Sequence, residues 1–281
     1  MNSNPLLESV IEQAPDRRRF MTKISAYTAM LSASAAISTQ SVEAQTATIT
    51  DVDILQFALN LEYLEAEFYT YAASGRGIVA HGIGVDGDGT EGVTTGGDRV
   101  NFNSNVLPLQ RIVEELAFDE RAHVTLLRGA LTAAGVKPVA KPALNLGGLG
   151  FGFGGQADFF TVARILEDIG VTAYGGAAPL ISNKDYLGVA ARILAVEAFH
   201  SGNIRLVIAE NRYNSVKVDG VDIVPPPTGT RYFATDDNAL SAVRTPAQVL
   251  YLAYGMKANA TSGGFYPAGF NGKLATSGTA A

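Results

Sequence analysis

Apolar residues recur at helical spacing along four long stretches of the chain. In residues 51–73 a stripe of Ile54, Leu55, Ala58, Leu59, Leu61, Ala66, Tyr69 and Ala73 predicts a first helix that ends at Ser74-Gly75, with Glu67 on the far side. Residues 106–134 open with Leu107-Pro108 and stop at Gly135, with Pro138 beyond; this is the punctuation of a second helix capped by Gly135. Residues 158–178, between Gly154-Gly155 and Pro179, predict a third. Residues 185–211 predict a fourth, about 40 Å long at 1.5 Å per residue. Four helices of this length define an all-α fold, a four-helix bundle.

The connections refine that picture. Residues 75–105 are rich in glycine and lack apolar periodicity, so they read as a long surface insertion, as do the prolines and glycines of residues 136–157. Only residues 179–184 join the third helix to the fourth, which makes these two neighbours, whereas the 22 residues 136–157 are long enough for a crossover. Beyond the bundle, Lys217 to Val224 alternate around Asp219-Gly220, a candidate hairpin closed by Pro225-Pro226-Pro227. Thr245-Pro246 then starts a short amphipathic helix expected to reach Lys257. Three segments result: residues 1–44, the bundle over 45–215, and a C-terminal extension over 216–281 packed on it.

The first segment carries an address. Arg17, Arg18, Phe20 and Met21 are followed by an uncharged stretch rich in Ala, Ser and Thr, and then by Val42-Glu43-Ala44, a small-residue cleavage site. The order resembles a twin-arginine signal, with the usual lysine displaced to Lys23. It implies export of a folded chain beginning at Gln45 to the periplasm or beyond, with the twin-arginine machinery as a partner; a non-functional signal would leave the protein cytoplasmic. No stretch is apolar enough to span a bilayer.

Composition narrows the chemistry. The 281 residues include no cysteine, which excludes disulfides, thiolate metal sites and cysteine nucleophiles. With 21 Lys+Arg against 27 Asp+Glu the net charge is −6, and no basic block follows residue 23, so nucleic acid is not an expected partner. What remains is a set of acids and histidines. Two of the three histidines sit in identical Glu-x-x-His spacing, Glu120 with His123 on the second helix and Glu197 with His200 on the fourth. That spacing puts both side chains on one helix face. The first and third helices each place one acid within an apolar stripe, Glu62 and Glu167, where an unpaired carboxylate would cost several kcal/mol or take up a proton.

An internal repeat ties the four helices together. Leu61-Glu62 with Tyr69 and Ala72 matches Leu166-Glu167 with Tyr174 and Ala177, and Glu120, His123 and Arg128 match Glu197, His200 and Arg205. The repeat predicts a pseudo-twofold axis between two metal ions. Glu62 and His123 would be terminal ligands of one ion and Glu167 and His200 of the other, with Glu120 and Glu197 bridging, the arrangement of di-iron and di-manganese carboxylate bundles. Four carboxylates and two imidazoles suit iron, manganese or zinc better than calcium or magnesium. These six are the candidate catalytic residues, and Tyr69 and Tyr174 are candidates to hydrogen-bond the ligand carboxylates. Glu65, one turn from Glu62, is an alternative ligand, but its repeat partner is Gly170. Glu114, Glu115 and Asp119 read as solvated-face charge and His81 as exposed. Asp86, Asp88 and Glu91 lack the spacing of an EF-hand calcium loop.

From about residue 50 to 275 the chain resembles the ferritin-like proteins grouped with the plant desiccation-related proteins. The resemblance lies in NLEYLEAEFY at 60–69, RTPAQVLYLAYG at 244–255 and SGGFYPAGFNG at 262–272. It implies a ferritin-like bundle, distantly related to bacterioferritin, rubrerythrin and manganese catalase, with two iron or manganese ions per chain. The implied functions fall into two classes. One is an oxidoreductase in which the ions react with oxygen or peroxide, as in ferrous oxidation or peroxide dismutation. The other is an exported stress or desiccation factor whose metals are structural or vestigial. The long first loop and the C-terminal extension depart from ferritin proper and speak against a hollow storage cage, while a homo-oligomer is compatible with either class.

Overall fold

The computed structural model describes residues 49–281 apart from residue 106. The export features, Arg17, Arg18, Phe20 and the Ala44 cleavage site, lie outside the described residues. The bundle consists of α1 (Asp51–Ser74), α2 (Leu109–Ala133), α3 (Gln156–Ala177) and α4 (Lys184–Asn211), and a short α5 (Pro246–Ala253) follows in the extension. α1 packs along α2 and α3 along α4. Each start has a local cause. Thr50 and Asp53 close a capping box on α1, with the Asp53 carboxylate 2.8 Å from the Thr50 N–H. Asn183 caps α4 through the amides of Asp185 and Tyr186. α2 starts at Leu109, later than the apolar pattern suggests, because Pro108 pushes its predecessor out of helical geometry and itself takes the N-cap position. Gly135, at φ 74°, ends that helix with the paired Gly135-to-Thr132 and Val136-to-Leu131 bonds of a Schellman turn.

α1 and α3 are buried around nearly their whole circumference, whereas α2 and α4 keep an exposed face. The covering is supplied by the connections. Residues 75–105 lie at the surface and run alongside residues 136–146, and Thr94–Thr95 pairs in parallel with Leu144–Asn145. The approach is close enough that a side chain at Gly92 would place its Cβ 2.2 Å from the Ala143 amide. This ribbon covers the outer side of α1, so Glu67, expected on a solvent-facing side, is 2% exposed. It accepts from the Ile78 amide at 3.1 Å and the Thr94 hydroxyl at 2.9 Å, and faces the buried Lys141 ammonium at 3.6 Å. The tail covers α1 further along, where the Tyr266 hydroxyl donates to the Asn60 carbonyl and Tyr254, Tyr266 and Phe270 cluster.

The C-terminal extension covers α3. Three buried arginines pin it: Arg164 of α3 binds Asp222 at 2.7 Å, Arg205 of α4 binds the Tyr232 and Arg231 carbonyls, and Arg244 binds both Asp219 and Thr172 of α3. The hairpin expected over residues 217–224 does not form. Two of its acids, Asp219 and Asp222, instead hold the local amides of Val218, Val221 and Asp222 and neutralise Arg244 and Arg164. Side chains here satisfy the backbone that a strand ladder would have used. α5 stops at Ala253, short of Lys257, because Gly255 turns the chain at φ 76° and the returning Phe265 amide takes the Ala253 carbonyl. No helix of the described residues is long and apolar enough to cross a membrane.

Candidate metal centre

All four bundle helices send side chains into one buried cluster. α1 contributes Glu62, α2 Glu120 and His123, α3 Glu167, and α4 Glu197 and His200; the four carboxylates are fully buried and each imidazole is 7% exposed. Their ligand atoms form two overlapping groups, each within 4.8 Å: Glu62, Glu120, His123 and Glu197, and then Glu120, Glu167, Glu197 and His200. Glu120 and Glu197 belong to both. Each histidine turns Nδ1 inward. That of His123 lies 3.2 Å from Glu62 and 3.1 Å from Glu120, and that of His200 lies 2.9 Å from Glu120 and 3.3 Å from Glu167. The two rings sit side by side with centroids 6.4 Å apart.

This donor set fits a pair of cations and is poorly served by anything else nearby. Seven of its buried nitrogen and oxygen atoms, both oxygens of Glu167 and of Glu197 among them, have no hydrogen-bond partner among the described residues. Such orphans are rare in folded proteins, and cations held between these residues would satisfy them. The electrostatics agree. Burial pushes the Glu120 carboxyl up to about 7 against the hydrogen bonds of both imidazoles. Burial and the charges of Glu120, Glu167 and Glu62 lift Glu197 well above the usual carboxylate range. Burial also acts to raise Glu62, but His123 beside it holds it below its ordinary value. Burial disfavours a charged His123, yet Glu62 and Glu120 overrule it and push it up to about 12; His200 is raised in the same way against burial, first by Glu167 and then by Asp119 and Glu120. Without cations, the cluster must gather protons as counter-charge.

The surrounding residues are less symmetric than the ligands. The Tyr174 hydroxyl donates a short hydrogen bond to Glu62. Its repeat mate Tyr69 is fully buried beside Glu167, and burial with that neighbouring charge raises its hydroxyl well above normal, but it makes no well-aligned bond. Glu65 lies outside both ligand groups, buried against Gly170: a Cβ at Gly170 would stand 3.5 Å from Glu65 Oε1 and 2.2 Å from Glu197 Oε2. Positions 65 and 170 are repeat mates that meet inside the bundle, so only one can carry a long side chain. Burial, and after it the charges of Glu197, Glu120, Glu167 and Glu62, raise the Glu65 carboxyl well above the usual range.

Asp119 corrects the expectation of solvated-face charge. Its carboxylate lies 3.1 Å from the Nε2 of His200, across the seam between α2 and α4. The available signal is the residue preceding each Glu-x-x-His, which is Asp119 in one repeat and Val196 in the other. Glu114 and Glu115 are exposed, and so is His81, whose Nε2 is 3.2 Å from the Ser74 hydroxyl. Asp86 and Asp88 are spent on Arg128 and Lys137, and neither they nor Glu91 join a metal-capable group among the described residues.

A helical bundle whose four inner faces converge on a shared carboxylate and imidazole cluster defines a ferritin-like protein. Residues 50–210, more than half of the chain, match the ferritin-like domain family, and the chain belongs to it. It is 27% identical over 277 residues to the ferritin-like catalase Nec2 of Nesocodon mauritianus, across 80% of this chain and 85% of that protein. It is 26% identical over 193 residues to the desiccation-related protein PCC13-62 of Craterostigma plantagineum, across 62% of this chain and 58% of that protein.

Proposed function

We propose that the protein is an exported dinuclear manganese or iron protein that consumes hydrogen peroxide in stress protection. The observation that carries the reading is the set of seven buried atoms without a hydrogen bond on five of the six residues, with Glu120 and Glu197 common to both groups. Glu62 and His123 would hold one ion and Glu167 and His200 the other, with Glu120 and Glu197 bridging. Two ions cycling between divalent and trivalent states supply the two-electron chemistry that turns two peroxide molecules into two waters and one dioxygen.

The chain's own residues do the rest. Glu120 and Glu197, common to both groups, would help hold both ions, and the hydrogen bond from Tyr174 fixes the rotamer of Glu62. Glu65 packs beside the cluster among Leu61, Leu64 and Ile169. A cleft between α2 and α4, lined by Glu115, Asp119, Val196, Phe199, His200 and Asn203, offers a small polar molecule an approach over the His200 edge. Resemblance to a protein named a catalase supports the peroxide reading over ferrous oxidation.

The test is a purified protein loaded with manganese or iron and challenged with peroxide. Catalytic release of one dioxygen per two peroxides supports the reading. Bound metal that raises the melting temperature without turnover favours a structural role instead. For export, the accumulated protein should begin at Gln45 by intact mass, and periplasmic protein that retains Met1 would contradict the cleavage.

A further inference from the structure

We infer that Asp119 is a positioning residue that makes the two ion sites unequal. The inference rests on the dinuclear reading and asks what distinguishes its halves. The ligands repeat faithfully, each half having one Glu from α1 or α3 and one His from α2 or α4. The outer edges of the two imidazoles do not. The Nε2 of His200 meets the Asp119 carboxylate at 3.1 Å, and this acceptor assigns the ring proton to Nε2, which leaves the Nδ1 lone pair aimed at Glu120 and Glu167. The carboxylates around His123 all face its Nδ1, and the repeat puts Val196 where an equivalent of Asp119 would stand.

A histidine held by a carboxylate on its far nitrogen has its tautomer and ring angle set before the ion arrives, and it is a more basic ligand. A histidine without one must select both on binding. The Glu167 and His200 half therefore binds its ion more tightly and fills first. Asp119 acts from α2 upon a ligand of α4, so it also ties together the two helices that flank the cleft. Its carboxylate is 31% exposed, so it acts without the desolvation penalty of the buried ligands.

The experiment titrates manganese(II) into metal-stripped whole protein by calorimetry. Wild type should show two unequal binding steps. Asp119→Ala should weaken the tighter step by about 10–100-fold, with Asp119→Asn, whose amide oxygen can still accept from Nε2–H, falling between. A double-mutant cycle separates positioning from a general structural role. In a His123→Ala background Asp119→Ala should still weaken the remaining ion by that factor, and in a His200→Ala background it should change nothing. Equal steps in wild type, or an Asp119→Ala effect that persists without His200, would overturn the inference while leaving the dinuclear site standing. Protein that binds no manganese at all would overturn the dinuclear reading itself.

Discussion

The two halves of the centre descend from one pattern and have diverged in the residues that support it. In the half built by Glu62 and His123, the carboxylate is braced by Tyr174 and the imidazole has no acid behind it. In the half built by Glu167 and His200, the imidazole is braced by Asp119 and the carboxylate has both oxygens unpartnered. Each half thus fixes one ligand and leaves the other to be fixed by the ion. At the meeting point of the repeats, one copy keeps Glu65 and the other has given up its side chain altogether at Gly170. A pair of like ions would require symmetric ligands; the supports need only supply enough order in total, and so they can differ.

Removing the ions should affect both halves at once and give the largest effect. Four buried carboxylates repel one another without counter-charge, and ligand binding at a hundredfold excess over Kd contributes about 2.7 kcal/mol. For a domain of this size that corresponds to roughly 5–10 °C in melting temperature between loaded and chelated protein. Identical melting curves, with loading verified, would mean that the cluster is not the metal site.

The tyrosines test the comparison directly. Tyr174→Phe removes a hydrogen bond to a buried carboxylate and should cost about 1.5–3 kcal/mol in denaturant unfolding, whereas Tyr69→Phe, with no aligned bond to lose, should cost clearly less. Equal costs would show that the two halves are braced alike. Gly170→Ala should cost about 1–3 kcal/mol through overpacking, because its Cβ would fall 2.2 Å from Glu197 Oε2, and the displaced carboxylate should weaken metal binding. Wild-type manganese affinity in that variant would mean Glu197 has room to move. Glu65→Gln should have the smallest effect, since Glu65 lies outside both ligand groups and Gln has nearly the same shape. Its metal content should equal that of wild type, and loss of both ions would make Glu65 a ligand.

The helices and the convergence of Glu62, Glu120, His123, Glu167, Glu197 and His200 are legible in the sequence because both rest on periodicity. A 3.6-residue stripe fixes which way a side chain points, and acids set within apolar stripes, with two copies of Glu-x-x-His on the other helices, can share charge by meeting in the core. What escapes such reading is whatever depends on contacts between distant irregular segments. Glu67 reads as outward because nothing local reveals that residues 75–105 fold back over α1. Asp219 reads as a hairpin turn residue, and Asp222 as part of the strand after it, because their partners, Arg244 and Arg164, are distant in sequence. Asp119 lies four residues before His123 but serves His200 on another helix, a relation visible only once α2 and α4 face each other. Gly170 reads as a missing ligand and is instead the space that Glu65 and Glu197 occupy.

The central claim, two ions sharing Glu120 and Glu197, is tested most directly by metal content and magnetic signature in two variants loaded under the same conditions. Wild type should hold two ions per chain with a coupled signal. Glu120→Ala should lose a ligand from both ions and with it the coupling, whereas His123→Ala should mainly weaken one ion and leave the other bound. Two coupled ions retained in Glu120→Ala would contradict the account.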